Sequence, residues 1–210
     1  GGIISPRRVT NIGFFAAALG GRRELLADAF FAWGPAYRQV LESFGLPAER
    51  IHVMGFNRAK PRADAAPPRS GTRRVVYIAG GNALVCPYLM TLDEDLHTLR
   101  ALAVCLPDDT ELLVRIHPRH RAEDFLAATA GLPGVRLLGD GEMSLAACLA
   151  SADCIVGKAS TVLLEAAHAG HPVLVVNLAG TPEFTGFTSG SPPLPYATDA
   201  AQLRQRLAAL

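Results

Sequence analysis

From about residue 73 to the end of the chain, short apolar runs alternate with stretches in which apolar residues recur every three or four positions. Uninterrupted apolar runs are typical of strands buried on both faces, and the longer spacing is typical of amphipathic helices. The runs predict strands at 75–79, 111–116, 135–138, 154–156 and 173–177. The spacing predicts helices at 92–106, 122–130, 145–151 and 199–210, and one that begins at Ser160 or Thr161 and ends at Gly170. This alternation predicts an α/β fold, a Rossmann-like parallel sheet with helices on both faces and right-handed crossovers.

The first part of the chain carries a smaller version of the same pattern. It predicts a brief strand at 29–35, a helix at 36–45 and a second strand at 50–55. One β-α-β unit cannot cover both faces of a parallel sheet, so we interpret it as part of something larger. Prolines, charges and small residues without apolar periodicity then predict a linker. The predicted division is a partial N-terminal Rossmann-like region at 1–56, a linker at 57–72 and a second Rossmann-like domain at 73–210.

Composition narrows the classes of partner. The 210 residues are 50% hydrophobic and carry a net charge of +1, from 20 basic and 19 acidic residues. This balance gives no general electrostatic reason to expect nucleic acid or an anionic membrane as a partner, so any anion site must be local. No apolar run is long enough to span a membrane, which leaves only peripheral membrane contact open. The chain begins Gly-Gly-Ile-Ile, as a fragment or a processed product would.

The cysteines and the known site motifs point away from metals and bound cofactors. Cys86, Cys105, Cys148 and Cys154 lack paired CxxC spacing, and three of them lie in apolar runs, so they are expected to be buried thiols of a reducing, cytoplasmic compartment. No GxxxxGK[ST], GxSxG or HExxH is present, which argues against a P-loop ATPase, an α/β-hydrolase and a zinc protease. We therefore predict no cofactor and no metal.

A candidate phosphate site lies at Ser160 and Thr161, where the fourth long apolar run meets a helix start. Backbone N–H groups at a helix start lack partners and carry partial positive charge, which suits a phosphate. Lys158 adds a charge just ahead of it, and Glu165, one turn into the helix, offers a carboxylate to sugar hydroxyls. The alternative is that the two hydroxyls only cap the helix and that Glu165 is solvated. His168 and His171, near the end of this helix, are predicted to interact with its last carbonyls.

Other polar residues also follow predicted strands, and in open parallel sheets ligands bind outside the carboxyl ends of the strands. Gly80, Gly81 and Asn82 follow the first strand after the linker, where glycine permits close backbone approach to a ligand, although a glycine pair is also a common turn. His117 and Arg119 follow the next strand, and arginine offers a fork for phosphate oxygens. The alternative there is an exposed, solvated basic loop that includes His120 and Arg121. Asp140 and Glu142 are a candidate acidic pair, or simply residues of a Gly-Asp-Gly turn.

The segments Leu112–Arg119, with its His-Pro pair, and Ala159–Asn177, with its Ser-Thr pair, together resemble the C-terminal nucleotide-binding domain of GT-B-fold glycosyltransferases. The similarity is greatest to bacterial capsule and surface-polysaccharide enzymes, and it extends back to about residue 30. It implies that His117, Ser160 and Thr161 bind the nucleotide and phosphate of an activated sugar and that Glu165 meets the ribose. It also implies a UDP-, CMP-, CDP- or GDP-linked donor, a glycan or lipid-linked acceptor, and no metal.

Two departures from this family keep other functions open. The N-terminal domain, which in the family holds the acceptor and usually the catalytic base, is mostly absent, so we expect this chain to bind nucleotide better than it catalyses. Thr181-Pro182-Glu183 is similar to a segment of the UDP-N-acetylglucosamine 2-epimerases, which share the fold. The alternatives are therefore an epimerase of that kind and a non-catalytic nucleotide-sugar-binding module.

Overall fold

The described part of the chain falls into two units. A computed structural model of the protein describes residues 28–43, 46–55, 71–80, 91–118, 120–139, 141–158, 160–180 and 194–209. Residues 28–43 and 46–55 belong to the first unit and the others to the second. The predicted linker at 57–72 lies almost wholly outside the described residues, so the three-part division stays a prediction.

The first unit is a small β-α-β arrangement. It contains β1 (Phe30–Ala32), α1 (Pro35–Ser43), a 3₁₀ turn (Ala48–Arg50) and β2 (Ile51–Val53). The two strands pair in parallel, with Phe30 opposite Ile51. Ala32, Leu41, Leu46 and Ile51 form its buried core. The predicted strand, helix and strand are present here, each somewhat shorter than its predicted range.

The second unit is built on one six-stranded parallel sheet. Its strands are β3 (Arg73–Ile78), β4 (Thr110–Arg115), β5 (Val135–Leu138), β6 (Cys154–Gly157), β7 (Val173–Val176) and β8 (Tyr196–Ala197). Their order across the sheet is β5-β4-β3-β6-β7-β8, and every neighbouring pair is parallel. The chain therefore lays down strands on one side of β3, returns, and continues on the other side, which is the doubly wound order of dinucleotide-binding folds.

Helices cover both faces of this sheet. They are α2 (Leu92–Cys105), α3 (Ala122–Thr129), α4 (Leu145–Ala150), α5 (Thr161–His168) and α6 (Ala200–Ala208). Alternate residues of each strand point to opposite faces, so the sheet sits between two cores. One core joins Tyr77 and its side of the strands to α2, α3 and α6, and the other joins Val76 and its side to α4 and α5. The predicted α/β fold with helices on both faces is confirmed.

Polar side chains fix where the helices of the second unit begin. Thr91 forms a capping box with Glu94 at α2, and Ser144, Ser160 and Asp199 accept backbone N–H bonds at the starts of α4, α5 and α6. Gly170 ends α5 with φ +82°, and the N–H of the next residue, His171, donates to Ala166 O at 3.0 Å. A residue with this φ and bond pattern is usually glycine. Both ends of α5 were therefore readable from the sequence.

The structure departs from the sequence prediction chiefly at β8. Tyr196 and Ala197 lie in a stretch predicted as loop, yet they pair with Val175 and Val176 of β7. A strand of two residues is too short to show alternation, so the sequence carried no signal for it. None of the helices within the described residues is long and apolar enough to cross a membrane.

Candidate functional site

The candidate site lies where the winding of the sheet changes direction, between β3 and β6. These strands are adjacent and parallel, and Ile78 lies opposite Gly157 at their carboxyl ends. The chain proceeds from β3 to β4 on one side and arrives at β6 on the other, so the connections leave this edge in opposite directions. Open α/β sheets bind ligands in the crevice that this arrangement creates.

Gly157 lets the two strands end close together. A Cβ atom built on it would lie 3.1 Å from the Ile78 carbonyl oxygen and 3.3 Å from a methyl carbon of Leu163. The first of these atoms belongs to backbone that is held in the sheet and cannot easily give way. A side chain at Gly157 would therefore clash, because the carboxyl end of β6 packs closely against β3 and α5.

Helix α5 starts beside this crevice. Ser160 is its N-cap, with φ −142° and ψ 137°, and its Oγ accepts the N–H of Val162 at 3.2 Å. Thr161 is the first helical residue, and both side chains are partly exposed. The remaining N–H groups of the first turn lie at the positive end of the helix dipole. The serine is thus a cap, and the same helix start also offers donors to an anion; these two interpretations of the sequence are compatible.

Asp95 forms the centre of a buried polar cluster behind the end of β3. It belongs to α2 and is 0% exposed. Its carboxylate accepts the hydroxyl of Tyr77 at 2.5 Å and the N–H of Gly80 at 3.0 and 3.1 Å. Burial, followed by the charge of Asp95, raises the pKa of Tyr77 well above its ordinary value. The phenol therefore stays protonated and remains a donor to Asp95.

His120 completes this cluster from the loop between β4 and α3. Its Nε2 lies 2.8 Å from Gly80 O and 3.4 Å from Asp95 Oδ2, and its side chain is 3% exposed. Its ring packs against Phe125, with centroids 5.5 Å apart. The hydrogen bond to Asp95 raises the pKa of His120, while burial opposes the shift. The alternative of an exposed, solvated basic loop does not hold for His120, because its ring turns inward to Asp95. It holds for Arg121, whose side chain is 77% exposed.

Lys158 is also buried at this edge of the sheet. Its Nζ lies 3.6 Å from Glu94 Oε1, and the two side chains are 7% and 17% exposed. Burial lowers the pKa of Lys158, and the charges of Glu94 and Asp95 oppose that shift. The positive charge of Lys158, just ahead of α5, is therefore paired with the carboxylate of Glu94 on α2.

Two other predicted site residues lie on the same unit. His117 follows β4, is partly buried, and has its ring 6.3 Å from that of His120, edge to face. Glu165 lies one turn into α5 and is partly buried. Because β3, β4 and β6 end at one edge in register, Gly80, His117 and Ser160 share that edge. Their roles in binding stay predictions.

Several other predictions lie outside the described residues, namely those on Gly81, Asn82, Cys86, Arg119, Asp140 and Thr181-Pro182-Glu183. Glu142, the proposed partner of Asp140, is 49% exposed and lies 3.4 Å from Arg136. His168 Nδ1 lies 2.9 Å from the carbonyl oxygen of Leu164, one turn back in α5, and the predicted interaction with the last carbonyls of the helix stays a prediction.

Sequence reasoning missed Asp95 and Glu94. Asp95 lies three residues after Leu92 and four before Leu99, so it falls on the apolar face of α2. A carboxylate on a buried face needs hydrogen-bond partners, and this is the signal by which the sequence could have identified it. Glu94 offered a weaker signal, because its position three residues after Thr91 already accounts for it as part of a capping box.

Two cavities that described residues of the second unit form lie at the opposite edge of the sheet. One of about 90 Å³ is lined by Thr110 and Val135 and another of about 390 Å³ by Val173 and Leu194, all at the amino ends of strands. Ligands of open parallel sheets bind at the carboxyl ends, so neither cavity is the candidate site.

No protein-family model and no curated protein matches the chain. Several solved structures do. HepE from Anabaena in complex with UDP and glucose matches with a TM-score of 0.63 and 15% identity, over 99% of this chain and 59% of that one. UDP-N-acetylglucosamine 2-epimerase from Rickettsia bellii matches with a TM-score of 0.59 and 18% identity, over 88% and 51%. A variant of the wall teichoic acid polymerase TagF soaked with CDPG matches with a TM-score of 0.52 and 14% identity, over 86% and 46%.

These likenesses show the fold: the chain contains a Rossmann-like domain of the kind found in GT-B-fold proteins. The chain spans about half the length of the structures it matches.

Proposed function

We propose that this chain is the donor-binding portion of a nucleotide-sugar-dependent glycosyltransferase. The observation that carries the proposal is the start of α5, capped by Ser160 at the carboxyl edge of the sheet, beside the crevice between β3 and β6. A helix start in that place is suited to the phosphates of an activated sugar. The fold agrees, because its solved neighbours include HepE with UDP and glucose and TagF soaked with CDPG.

The chemistry required of this half of the site is stabilisation of charge. When the bond between sugar and nucleotide breaks, negative charge develops on the leaving phosphate. The N–H groups of the first turn of α5 are fixed before the reaction, so they can stabilise that charge without reorganising. In this proposal Arg119 contributes a guanidinium, His117 contacts the nucleotide, and Glu165 accepts hydrogen bonds from the ribose hydroxyls. The acceptor, a glycan or a lipid-linked sugar, is bound elsewhere in the full-length protein.

The setting we propose is surface-polysaccharide or glycoconjugate synthesis in the cytoplasm. Cys148 and Cys154 are buried free thiols, and burial raises the pKa of the Cys154 thiol to about 12. Such inert thiols fit a reducing compartment.

The test is a calorimetric titration of the full-length protein with UDP-, CMP-, CDP- and GDP-linked sugars. We expect one class of donor to bind, and Ser160→Ala combined with His117→Ala to weaken that binding by about tenfold or more, since hydrogen bonds to charged groups contribute about 1.5–3 kcal/mol each. Failure of all four classes to bind, or binding that the double variant leaves unchanged, would exclude the proposal. Binding without sugar transfer to any glycan or lipid-linked acceptor would instead indicate a non-catalytic binding module.

A second candidate is a UDP-N-acetylglucosamine 2-epimerase. The likeness to the Rickettsia bellii enzyme, with a TM-score of 0.59, favours it. An epimerase converts its substrate without an acceptor. Incubation of the full-length protein with UDP-N-acetylglucosamine alone, followed by analysis of the sugar at C2, separates the two candidates, because a transferase leaves that carbon unchanged.

A further inference from the structure

The backbone of Gly80 is held on both sides by buried side chains. Its N–H donates to the carboxylate of Asp95 at 3.0 and 3.1 Å, and its carbonyl oxygen lies 2.8 Å from Nε2 of His120. Asp95 and His120 are joined in turn, at 3.4 Å. Both peptide groups of this residue are therefore engaged by the protein, at the point where the chain leaves β3 beside the crevice.

The protonated nitrogen of His120 follows from its neighbours. Nε2 faces a carbonyl oxygen and a carboxylate oxygen, and both of these only accept hydrogen bonds. Nε2 therefore carries its proton in the neutral ring as well as in the imidazolium. The hydrogen bond to Gly80 is present in both states. Protonation at Nδ1 adds a positive charge beside Asp95, which strengthens the same contacts.

The cluster links three separate elements of the second unit. Asp95 belongs to α2, Tyr77 and Gly80 to β3 and the residues just after it, and His120 to the loop that precedes α3. Tyr77 and Asp95 are fully buried. A buried carboxylate is costly unless it is hydrogen-bonded, so these partners hold Asp95 in one position and Asp95 holds Gly80.

We propose that His120 is a positioning residue for the candidate donor site: together with Asp95 it fixes the Gly80 backbone at the edge of the crevice between β3 and β6. This role rests on the proposed function, in which the donor binds at the start of α5. Gly80 lies on the opposite side of the same crevice. His120 acts through Gly80 and through the loop that also carries His117, not by touching the donor. A ligand that bridges β3 and β6 binds more tightly when this backbone is already in place.

The hold of His120 and Asp95 on the Gly80 backbone depends on pH, because the His120 ring gains a positive charge when Nδ1 is protonated. The titratable and charged groups that face His120 or its partner Asp95 come from the surrounding elements and are Asp95 and Glu94 on α2, Tyr77 on β3, Asp124 on α3, His117 in the same loop and Lys158 after β6. Of these groups, Asp95 is the one paired with Nε2, at 3.4 Å, and its hydrogen bond raises the pKa of His120. Protection of the Gly80 amide from hydrogen exchange should therefore be highest when His120 is charged and fall as pH rises through that raised pKa.

The test compares His120→Leu and His120→Gln with the wild-type full-length protein. NMR measures the protection factor of the Gly80 amide between pH 5 and 9, corrected for intrinsic exchange, and calorimetry measures binding of UDP, CDP, GDP and CMP. We expect His120→Leu to lower Gly80 protection and nucleotide affinity by about tenfold or more, because a hydrogen bond to a charged group is lost. We expect His120→Gln, which keeps an N–H donor, to recover most of both and to lose the pH dependence. His97 is an exposed histidine on α2, so His97→Gln is the matched control. It should change neither the protection of the Gly80 amide nor the affinity for nucleotides.

Each outcome decides something. Unchanged Gly80 protection in His120→Leu, or a pH dependence that persists in His120→Gln, would overturn the positioning role. Should His120→Leu fail to fold, the pH profile of His120→Gln still decides. Reduced protection with unchanged nucleotide affinity would overturn the link to the donor site. A wild-type protein that binds none of the four nucleotides would overturn the proposed function, and the Gly80 protection factors would still establish or refute the hold of His120 on Gly80.

Discussion

The Lys158 ammonium lies 3.6 Å from a carboxylate oxygen of Glu94, with both side chains largely shielded from water. Glu94 belongs to the first turn of α2, and Lys158 immediately follows β6, just ahead of α5. The pair therefore joins the starts of the two helices on either side of the crevice. It also limits the positive charge that a ligand would meet there.

Replacing Glu94 with glutamine isolates the charge of this pair. The amide oxygen of the glutamine could still accept from the Thr91 N–H, a bond of 2.7 Å in this structure, so the capping box survives. The positive charge of Lys158 would lose this carboxylate in a shielded place. We expect Glu94→Gln to reduce the free energy of unfolding by about 1–2 kcal/mol, between the values for surface and fully buried pairs. Urea denaturation at pH 7 measures this change.

Glu123→Gln is the control for that experiment. Glu123 lies 3.5 Å from Arg121, but both side chains are more than two-thirds exposed, at 71% and 77%. Exposed pairs of this kind contribute little to stability. Equal losses in the two glutamine variants would show that burial does not strengthen the Lys158–Glu94 pair.

Ser160 and Ser144 permit a matched test of the phosphate site, because both are serine N-caps. Their Oγ atoms accept from Val162 N at 3.2 Å and from Ala147 N at 3.1 Å. Either alanine variant should lose about 1 kcal/mol of stability, the usual contribution of such a cap. Only Ser160→Ala should also weaken nucleotide binding, by about tenfold, if its hydroxyl contacts a phosphate. Calorimetric titration measures the affinity, and an equal affinity in the two variants would reduce Ser160 to a helix cap.

Tyr77→Phe removes a hydroxyl from the buried cluster without changing the volume of the ring. The lost bond is to a buried carboxylate at 2.5 Å, so we expect a loss of about 1.5–3 kcal/mol in the free energy of unfolding. Tyr196→Phe is the comparison, since its hydroxyl accepts a neutral hydrogen bond from Asn177 at 2.9 Å. There we expect about 0.5–1.5 kcal/mol. Chemical denaturation compares the two, and a larger loss at Tyr196 would contradict the importance given to Asp95.

The raised pKa of His120 predicts a pH-dependent contribution to stability. A histidine whose pKa is higher in the folded protein binds its proton more tightly there, so folding is favoured when the ring is charged. This contribution is complete below the ordinary histidine pKa of 6.5 and is lost as pH rises through the folded pKa. We expect the stability difference between wild type and His120→Gln to shrink from pH 5 to 9. Denaturation curves across that range test this, with His97→Gln, at an exposed position of α2, as the control variant.

The fold was predictable because its elements have strong local signals. The longest strands of the second unit, β3 and β4, each contain an apolar run, and Ser160 and Gly170 mark the ends of α5 by the hydroxyl and the φ that those positions favour. β8 was not predictable, because Tyr196 and Ala197 count as a strand only by pairing with β7. The local sequence carries no signal for that pairing.

The site was only partly predictable, for a physical reason. Ser160 and His117 follow strands directly, so their position at the edge of the sheet is set by local pattern and parallel pairing. Asp95 and His120 are buried because the fold brings α2, β3 and a loop into contact. Their burial therefore depends on tertiary structure and not on local sequence. A histidine within a basic stretch has the same local sequence whether it points to water or to a carboxylate.

The pairing of β3 with β6 has a consequence for how the protein assembles. Arg74 N donates to the Asp153 carboxylate across this seam, and the two residues are 79 positions apart in the chain, whereas the other pairings in the sheet join nearer segments. Closing so long a loop costs more conformational entropy than closing a short one. We therefore expect the pairing of β3 with β6 to form more slowly than the other strand pairings of the sheet. The crevice therefore does not exist until the two halves of the sheet have met. A ligand that binds there would favour the completed sheet and slow its unfolding.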